Sequence, residues 1–442
     1  MRRLVGPTPF FLLGLVGGCT CRAAHPPAPD DALRSALGDA SAVAPSLRGA
    51  PPSEPMFSAP IAAVQAGGVQ VVAGLVAAEG VIRVVGLRGG RASWTVDAPG
   101  KVTWAPDAEI KLSPAGDGVA LVSRGLGAKS DRTLVLLGPH GEVRGEPLDI
   151  GAAFCATADG LAWVDPGPVG AVRVRARTWS DTQASEVVTI ASDRRPALVC
   201  GDREVFVLGD GDDDLTLATF VPGDRAASPT VVAIRDADFR DDDEREHYTY
   251  SMGDDLGLLR VADSGSIAMR EIPKGGAPTP WRKLKHALSE DDDVVAVDGD
   301  ATSTIVVFTR ETDGACPGVG STAEGVRALR VDRATGQESV IDLARPDCDR
   351  SRGPFWIAPA PGIPVVAWVE RSTKIAPTAA AIRGLATRAL RVDGVKSGGV
   401  DIQADALVDG GCDETGCFAA ALVREPGSDG MRPAPIVTLA YP

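Results

Sequence analysis

The sequence predicts an all-β protein built by repeating one strand unit. Three observations carry that reading. Gly (51) and Pro (34) together make about a fifth of the 442 residues, too many for a helical bundle. From residue 61 onward, short Val/Leu/Ala runs alternate with Gly, Asp, Pro and Ser clusters, and no amphipathic window exceeds about three helical turns. One apolar run then recurs at a near-constant interval through the whole body.

The recurring runs are QVVAGLV from Gln70, GVALVSR from Gly118, GLAWVD from Gly160, EVFVLG from Glu204, LGLLRVAD from Leu256, TIVVFTRE from Thr304, VVAWVER from Val365 and CFAAALVRE from Cys417. Each is apolar and then meets a charged, polar or Gly residue, the pattern of a strand buried on both faces. With Val72, Leu121, Trp163, Val207, Leu259, Phe308, Trp368 and Leu422 as anchors, the spacings are 49, 42, 44, 52, 49, 60 and 54 residues. After most anchors come a second strand, a turn and a third strand. Hairpins read most plainly at 134–150, across Gly138-Pro139-His140-Gly141, and at 326–343, across 332–336.

Several strands per unit at a period of ~40–50 residues are the mark of a β-propeller. The body, 61–442, resembles β-propeller repeat proteins, and the eight anchors imply seven or eight blades. The alternative is two β-sandwich domains, whose strands also recur at short intervals. A period that persists without a linker favours the propeller. The last unit, 404–442, ends at its third strand, 436–441, and a strand near 61–65 is expected to complete that blade and close the ring. Such closure would protect edges that otherwise template aggregation.

Residues 1–18 read as an export signal, with Arg2 and Arg3 before the short apolar core FFLLGLV at 10–16. That core is far shorter than the ~20 apolar residues needed to span a bilayer. It ends in Val16-Gly17-Gly18-Cys19, an aliphatic residue, two small residues and a cysteine. This resembles the lipobox of bacterial lipoproteins. The resemblance implies cleavage before Cys19 and acylation of its thiol, so that the membrane becomes a partner through a lipid anchor. Loss of Arg2 and Arg3 would take the net charge from −14 to −16. Position 20 is Thr rather than the Asp that favours inner-membrane retention in enterobacterial lipoproteins, which implies an outer-membrane location in the cell envelope. Residues 19–60 then carry eight prolines among Ala, Ser and Asp, with few large apolar side chains. Such a segment cannot offset its ordering entropy by burial and is expected to be a disordered tether.

Six cysteines lie in the body: Cys155, Cys200, Cys316, Cys348, Cys412 and Cys417. In an exported protein the default is pairing. Cys155 and Cys200 precede their anchors by eight and seven residues, so they hold near-equivalent sites in adjacent repeats. Cys412 with Cys417 would close a hairpin, and Cys316 with Cys348 would staple an insertion. Sequence leaves 15 connectivities open for six cysteines. No Cys-x₂-Cys pair is present, which argues against zinc.

Acidic clusters are the most conspicuous polar feature. Asp210-Gly211-Asp212-Asp213-Asp214-Leu215 alternates carboxylates with a glycine, and loosely resembles the calcium-binding turns of integrin-like propeller repeats. The resemblance implies Ca²⁺ on Asp210, Asp212 and Asp214. It is partial, because no Asn precedes the glycine and no other unit repeats the motif. Solvated turns account for this run, 241–244 and 290–293 more economically. Trp163 and Trp368 sit inside the repeated strands and read as packing residues, whereas Trp104 and Trp281 are candidates for exposed binding contact.

The acidic balance and lack of a basic block exclude nucleic acid as the main partner. No nucleophile elbow, His-Glu-x-x-His, phosphate loop or complete Gly-x-Gly-x-x-Gly is present. The reading therefore favours a non-catalytic binding or scaffolding module for an envelope protein or a glycan. A propeller-type hydrolase or lyase, Ca²⁺-assisted, and an envelope assembly factor remain as alternatives.

Overall fold

In the computed structural model, apolar runs bounded by Gly and Asp turns form strands throughout, with no helix among the described residues. These residues are 58–439, less the connecting segments 100–108, 125–131, 211–214, 225–228, 235–244, 314–321, 359–363, 373–382, 425–430 and some turns of one to four residues; side chains are described within 62–370. The signal segment, Cys19, Cys21 and the tether as far as 57 lie outside the described residues.

The strands group into eight antiparallel sheets of four. The first holds β1 (Ser58–Ala66), β2 (Val69–Val76), β3 (Val81–Arg88) and β4 (Arg91–Asp97). The second holds β5 (Glu109–Ala115), β6 (Gly118–Arg124), β7 (Arg132–Leu137) and β8 (Leu148–Ile150). The third holds β9 (Phe154–Ala156), β10 (Gly160–Pro166), β11 (Ala171–Thr178) and β12 (Ser185–Ala191). The fourth holds β13 (Ala197–Cys200), β14 (Val205–Asp210), β15 (Leu215–Phe220) and β16 (Thr230–Ile234). The fifth holds β17 (Arg245–Met252), β18 (Asp255–Ala262), β19 (Ser266–Ile272) and β20 (Arg282–Ala287). The sixth holds β21 (Asp292–Gly299), β22 (Ser303–Asp313), β23 (Thr322–Asp332) and β24 (Glu338–Asp347). The seventh holds β25 (Arg350–Ala358), β26 (Val365–Ser372), β27 (Arg383–Arg391) and β28 (Lys396–Gln403). The eighth holds β29 (Ala406–Asp413), β30 (Gly416–Arg424), β31 (Met431–Pro433) and β32 (Val437–Leu439).

The first strands of successive sheets are neighbours: β1 lies by β5, β5 by β9, and so on to β25 by β29, and β29 returns to β1. One closed circuit of eight sheets is a β-propeller of eight blades, not a pair of sandwiches. All eight sequence anchors fall on the second strand of their sheets. That strand has neighbours on both edges and both faces, so β6 is buried from Gly118 to Ser123, whereas the outer strand β12 is exposed or half-buried at every position but Ile190. Trp163, Phe206 and Phe308 are among the largest buried side chains and pack between consecutive sheets.

Ring closure differs from the sequence expectation. The segment 61–65 belongs to β1, the inner strand of the first sheet, and pairs with β2 instead of completing the last blade. The connection from Ala66 to Val69 is two residues long, and Gly68 takes a φ of 73° there. A hairpin so local has little loop-closure entropy to overcome, and it outcompetes pairing across the ring. The third strand of the last sheet is split: β31 pairs with Leu422–Arg424 of β30, and β32 with Cys417–Ala419. Residues 434–436, between the two pieces, lie outside the described residues.

Candidate functional site

The third sheet sets up the site. Its strand β11 reads Ala-Val-Arg-Val-Arg-Ala-Arg-Thr, so period-2 alternation places Arg173, Arg175 and Arg177 on one face. They stand opposite Asp165, Trp163 and Leu161 of β10. Arg175 reaches Asp165 (Nε–Oδ2, 3.3 Å), and Arg173 donates to the Pro166 carbonyl (3.0 Å). Arg177 has only an aliphatic residue opposite it, and it is 7% exposed.

Arg177 lines a cleft of about 300 Å³ between the second and third sheets. Ala115, Val119, Leu136, Leu137 and Leu148 of the second sheet form its apolar wall. Trp179 and Asp181 close it from the third sheet, and Arg144, Gly145 and Glu146 from the connection between β7 and β8. The turns that shape the mouth join first to second or third to fourth strands, so they lie at one end of the propeller. Gly116, in the β5–β6 turn, has a φ of 60°, and a Cβ there would stand 3.4 Å from the Trp179 indole nitrogen. The positive φ of the turn favours glycine there, while a Cβ would make only ordinary contact with the indole. The Asp181 N–H donates to the Thr178 hydroxyl (3.1 Å) and carbonyl (3.3 Å), fixing the bend that presents Trp179 and Asp181.

The two arginines of the cleft differ in their partners. Arg144 donates to Asp117 (2.5 Å) and Glu142 (3.1 Å), and those carboxylates hold its guanidinium above its ordinary value. Arg177 has a buried Nε without a hydrogen-bond partner. Burial pushes its guanidinium below the ordinary value, and the charge of Asp181 opposes that shift. Leaving a buried polar group unsatisfied costs about 1–3 kcal/mol, and more for a charged one. An arginine held this way in a lined cleft has donors left to offer an incoming acceptor.

Sequence reading did not single out Arg177. The only signal was the Arg-x-Arg-x-Arg alternation of β11; what leaves Arg177 facing apolar side chains is Leu161 beside it and the wall of the facing sheet, some 30–60 residues earlier. The residues that sequence did single out are dispersed. Asp210 ends β14 and pairs with Leu215 of β15, so the acidic run falls in sequence between the second and third strands of its sheet, whereas the cleft is lined from first-to-second and third-to-fourth connections. The side chain of Asp210, and Asp212 and Asp214 entirely, lie outside the described residues, as does Trp104. Trp281 is half-buried against Phe206, Leu217 and Leu258, with the guanidiniums of Arg260 and Arg270 5.0 and 5.8 Å from its ring.

Cys155 of β9 and Cys200 of β13 form a disulfide between the inner strands of adjacent sheets, Cα atoms 5.8 Å apart, as their repeat positions imply. Cys348 is also disulfide-bonded, to a sulfur outside the described side chains, and Cys316 lies outside the described residues. Cys412 and Cys417 stand directly opposite in the β29–β30 register.

No family model matches the chain, and no curated protein sequence matches it. Solved structures similar to it include the WD40 domain of SCAP from fission yeast, 11% identical with a TM-score of 0.48 over 88% of this chain and 96% of that one. The β-propeller domain of the Trilobed protease from Pyrococcus furiosus is 9% identical, with a TM-score of 0.34 over 66% and 99%. The acylaminoacyl peptidase of Pyrococcus horikoshii is 11% identical, with a TM-score of 0.46 over 75% and 52%. The chain spans about half the length of that peptidase, and 55% of a prolyl endopeptidase it also matches. The likeness is one of fold alone, and the blade count rests on the circuit of inner strands.

Proposed function

We propose that the chain is an exported, lipid-anchored envelope protein acting as a non-catalytic binding module, with the cleft between the second and third sheets as its ligand site. The observation that carries the reading is Arg177, 7% exposed, its Nε without a hydrogen-bond partner, lining a cleft whose far wall is apolar. A few placed polar groups against an apolar wall are the usual make-up of a small-molecule site. The three body histidines support no shared acid–base role: His140 lies in the second sheet's β7–β8 connection, and His247 and His286 lie on opposite edge strands of the fifth.

Two measurements test the reading. A fragment set of neutral and charged small molecules should move the Trp179 indole N–H resonance, identified by its loss in Trp179→Phe; if no fragment moves it, the cleft is not a ligand site. Lipidation predicts that Cys19→Ser transfers the protein from the membrane to the soluble fraction. Unchanged membrane fractionation of that variant removes the anchor.

A further inference from the structure

Resting on the cleft as a ligand site, we infer that it takes a small molecule in which a carboxylate stands beside an N–H group and an apolar side chain. That is the chemistry shared by an N-acyl amino acid and a peptide C-terminus. Arg177 receives the carboxylate, Asp181 the adjacent N–H, and Trp179 with Leu136 and Leu148 the apolar group.

The argument begins with what Arg177 needs. A guanidinium presents planar forked donors whose geometry matches a carboxylate, and it has no acceptor capacity of its own. Within the protein those donors meet one nearby negative charge, Asp181, and no hydrogen bond to Asp181 or to any other described residue is made. Arg144, the other arginine of the cleft, is already taken by Asp117 and Glu142. An oxyanion entering the cleft therefore has one open cationic partner. The bond is charge-assisted and stronger for its burial.

The second step comes from Asp181. A ligand that brought a carboxylate alone would meet Asp181 as a like charge. One carrying a donor next to its carboxylate turns that repulsion into a hydrogen bond, because an ionised carboxylate can only accept. The third step comes from the wall. Leu136 is 7% exposed, Trp179 is half-buried, and together with Leu148 they offer an apolar face to whatever extends from the oxyanion. A branched aliphatic side chain suits a cleft of about 300 Å³.

The test uses the full chain, with N-acetyl-leucine as probe, N-acetyl-leucinamide as its uncharged isostere and acetate as the carboxylate without a body. N-acetyl-leucine should move the Trp179 indole N–H resonance saturably, and the amide should bind at least about tenfold more weakly, the loss of one charge-assisted pair. Acetate should be weaker still. Arg177→Met keeps an apolar stem; it should erase the preference for acid over amide and raise Tm, because an unpaired buried charge is removed.

Acid and amide binding equally well overturns the proposal. So does an Arg177→Met variant that melts lower and still binds N-acetyl-leucine, since the guanidinium is then structural. If the amide or a neutral fragment moves Trp179 while the acid does not, the carboxylate assignment fails and the ligand site stands; if nothing moves it, both fail. Acetyl-Ala-Ala-Ala-Leu separates the two sources: binding as tight as N-acetyl-leucine points to a peptide terminus, and exclusion of the peptide to a free N-acyl amino acid.

Discussion

Two junctions between neighbouring blades each hold an arginine withdrawn from solvent, Arg177 buried and Arg333 half-buried, and they use it in opposite ways. Between the fifth and sixth sheets, Arg333 follows β23 and donates to both oxygens of Glu271 (3.2 and 3.0 Å), to Asp255 (3.1 Å) and to the Asp300 carbonyl (3.1 Å). Burial works against its charge, but the bonds to Glu271 and Asp255 outweigh burial and hold the guanidinium above its ordinary value. Between the second and third sheets, Arg177 is buried without such bonds and a cleft stands in front of it. Both arginines serve the same end of the propeller. The lesson is that burial of a cation is uninformative alone; its complement of acceptors decides whether it is a clamp or a receptor.

The largest expected effect concerns what holds the third sheet while its other side is left open. On the side away from the cleft, Cys155–Cys200 ties β9 to β13 across 45 residues of chain, and both cysteines are buried. Cross-linking a loop of that length stabilises by about 4 kcal/mol in the chain-entropy account. Replacing both cysteines with alanine should lower Tm by several degrees, and the Trp179 indole resonance should broaden as its sheet loosens. A Tm within a degree of the parent would mean that packing of Val174, Ala176 and Val207 around the bridge holds the junction unaided.

Removing Arg333 should cost less but distinguish the junctions more cleanly. Arg333→Met leaves Asp255 and Glu271 as facing carboxylates without their cation. Their side chains are 29% and 26% exposed, so solvent relieves part of the cost, and about 2 kcal/mol of destabilisation is expected. The same substitution at Arg177 should move Tm the other way. Urea melts of the two variants side by side decide the matter: equal losses would show both arginines to be clamps and dissolve the contrast.

How much of this was legible in the sequence depends on how local the cause is. The second strands were legible because burial on both faces writes an unbroken apolar run, as in Gly118–Ser123 and Gly160–Val164. Inner strands were harder to read, since β9 spans only Phe154–Ala156. The expected closing strand failed because the local hairpin at Gly68 competes with pairing across the ring. Arg177 was invisible as a site for a different reason. Its neighbours in sequence, Arg173 and Arg175, look the same, and only the register against Leu161 and the wall of the second sheet sets it apart.

The smallest effect sharpens the contrast by acidity. In the sixth sheet, Arg310 donates twice to Asp292 at 2.6 Å, and the Ser289 N–H and hydroxyl donate to the same carboxylate. Burial opposes the charge of Asp292, but Arg310 and Ser289 outweigh it and hold the carboxyl below the ordinary range. A group whose folded pKa is depressed contributes stability that is fully present above its unfolded value, ~3.9, and is lost as pH falls through the folded value. Asp292→Asn should therefore melt below the parent at pH 6, and the gap should close as the pH is lowered toward 2. Arg310 stays protonated across that window, so the carboxylate alone supplies the slope. A gap that stays constant from pH 6 to 2 would mean that Asp292 acts by shape and neutral hydrogen bonding, and that a paired arginine in this propeller is not an ionic clamp.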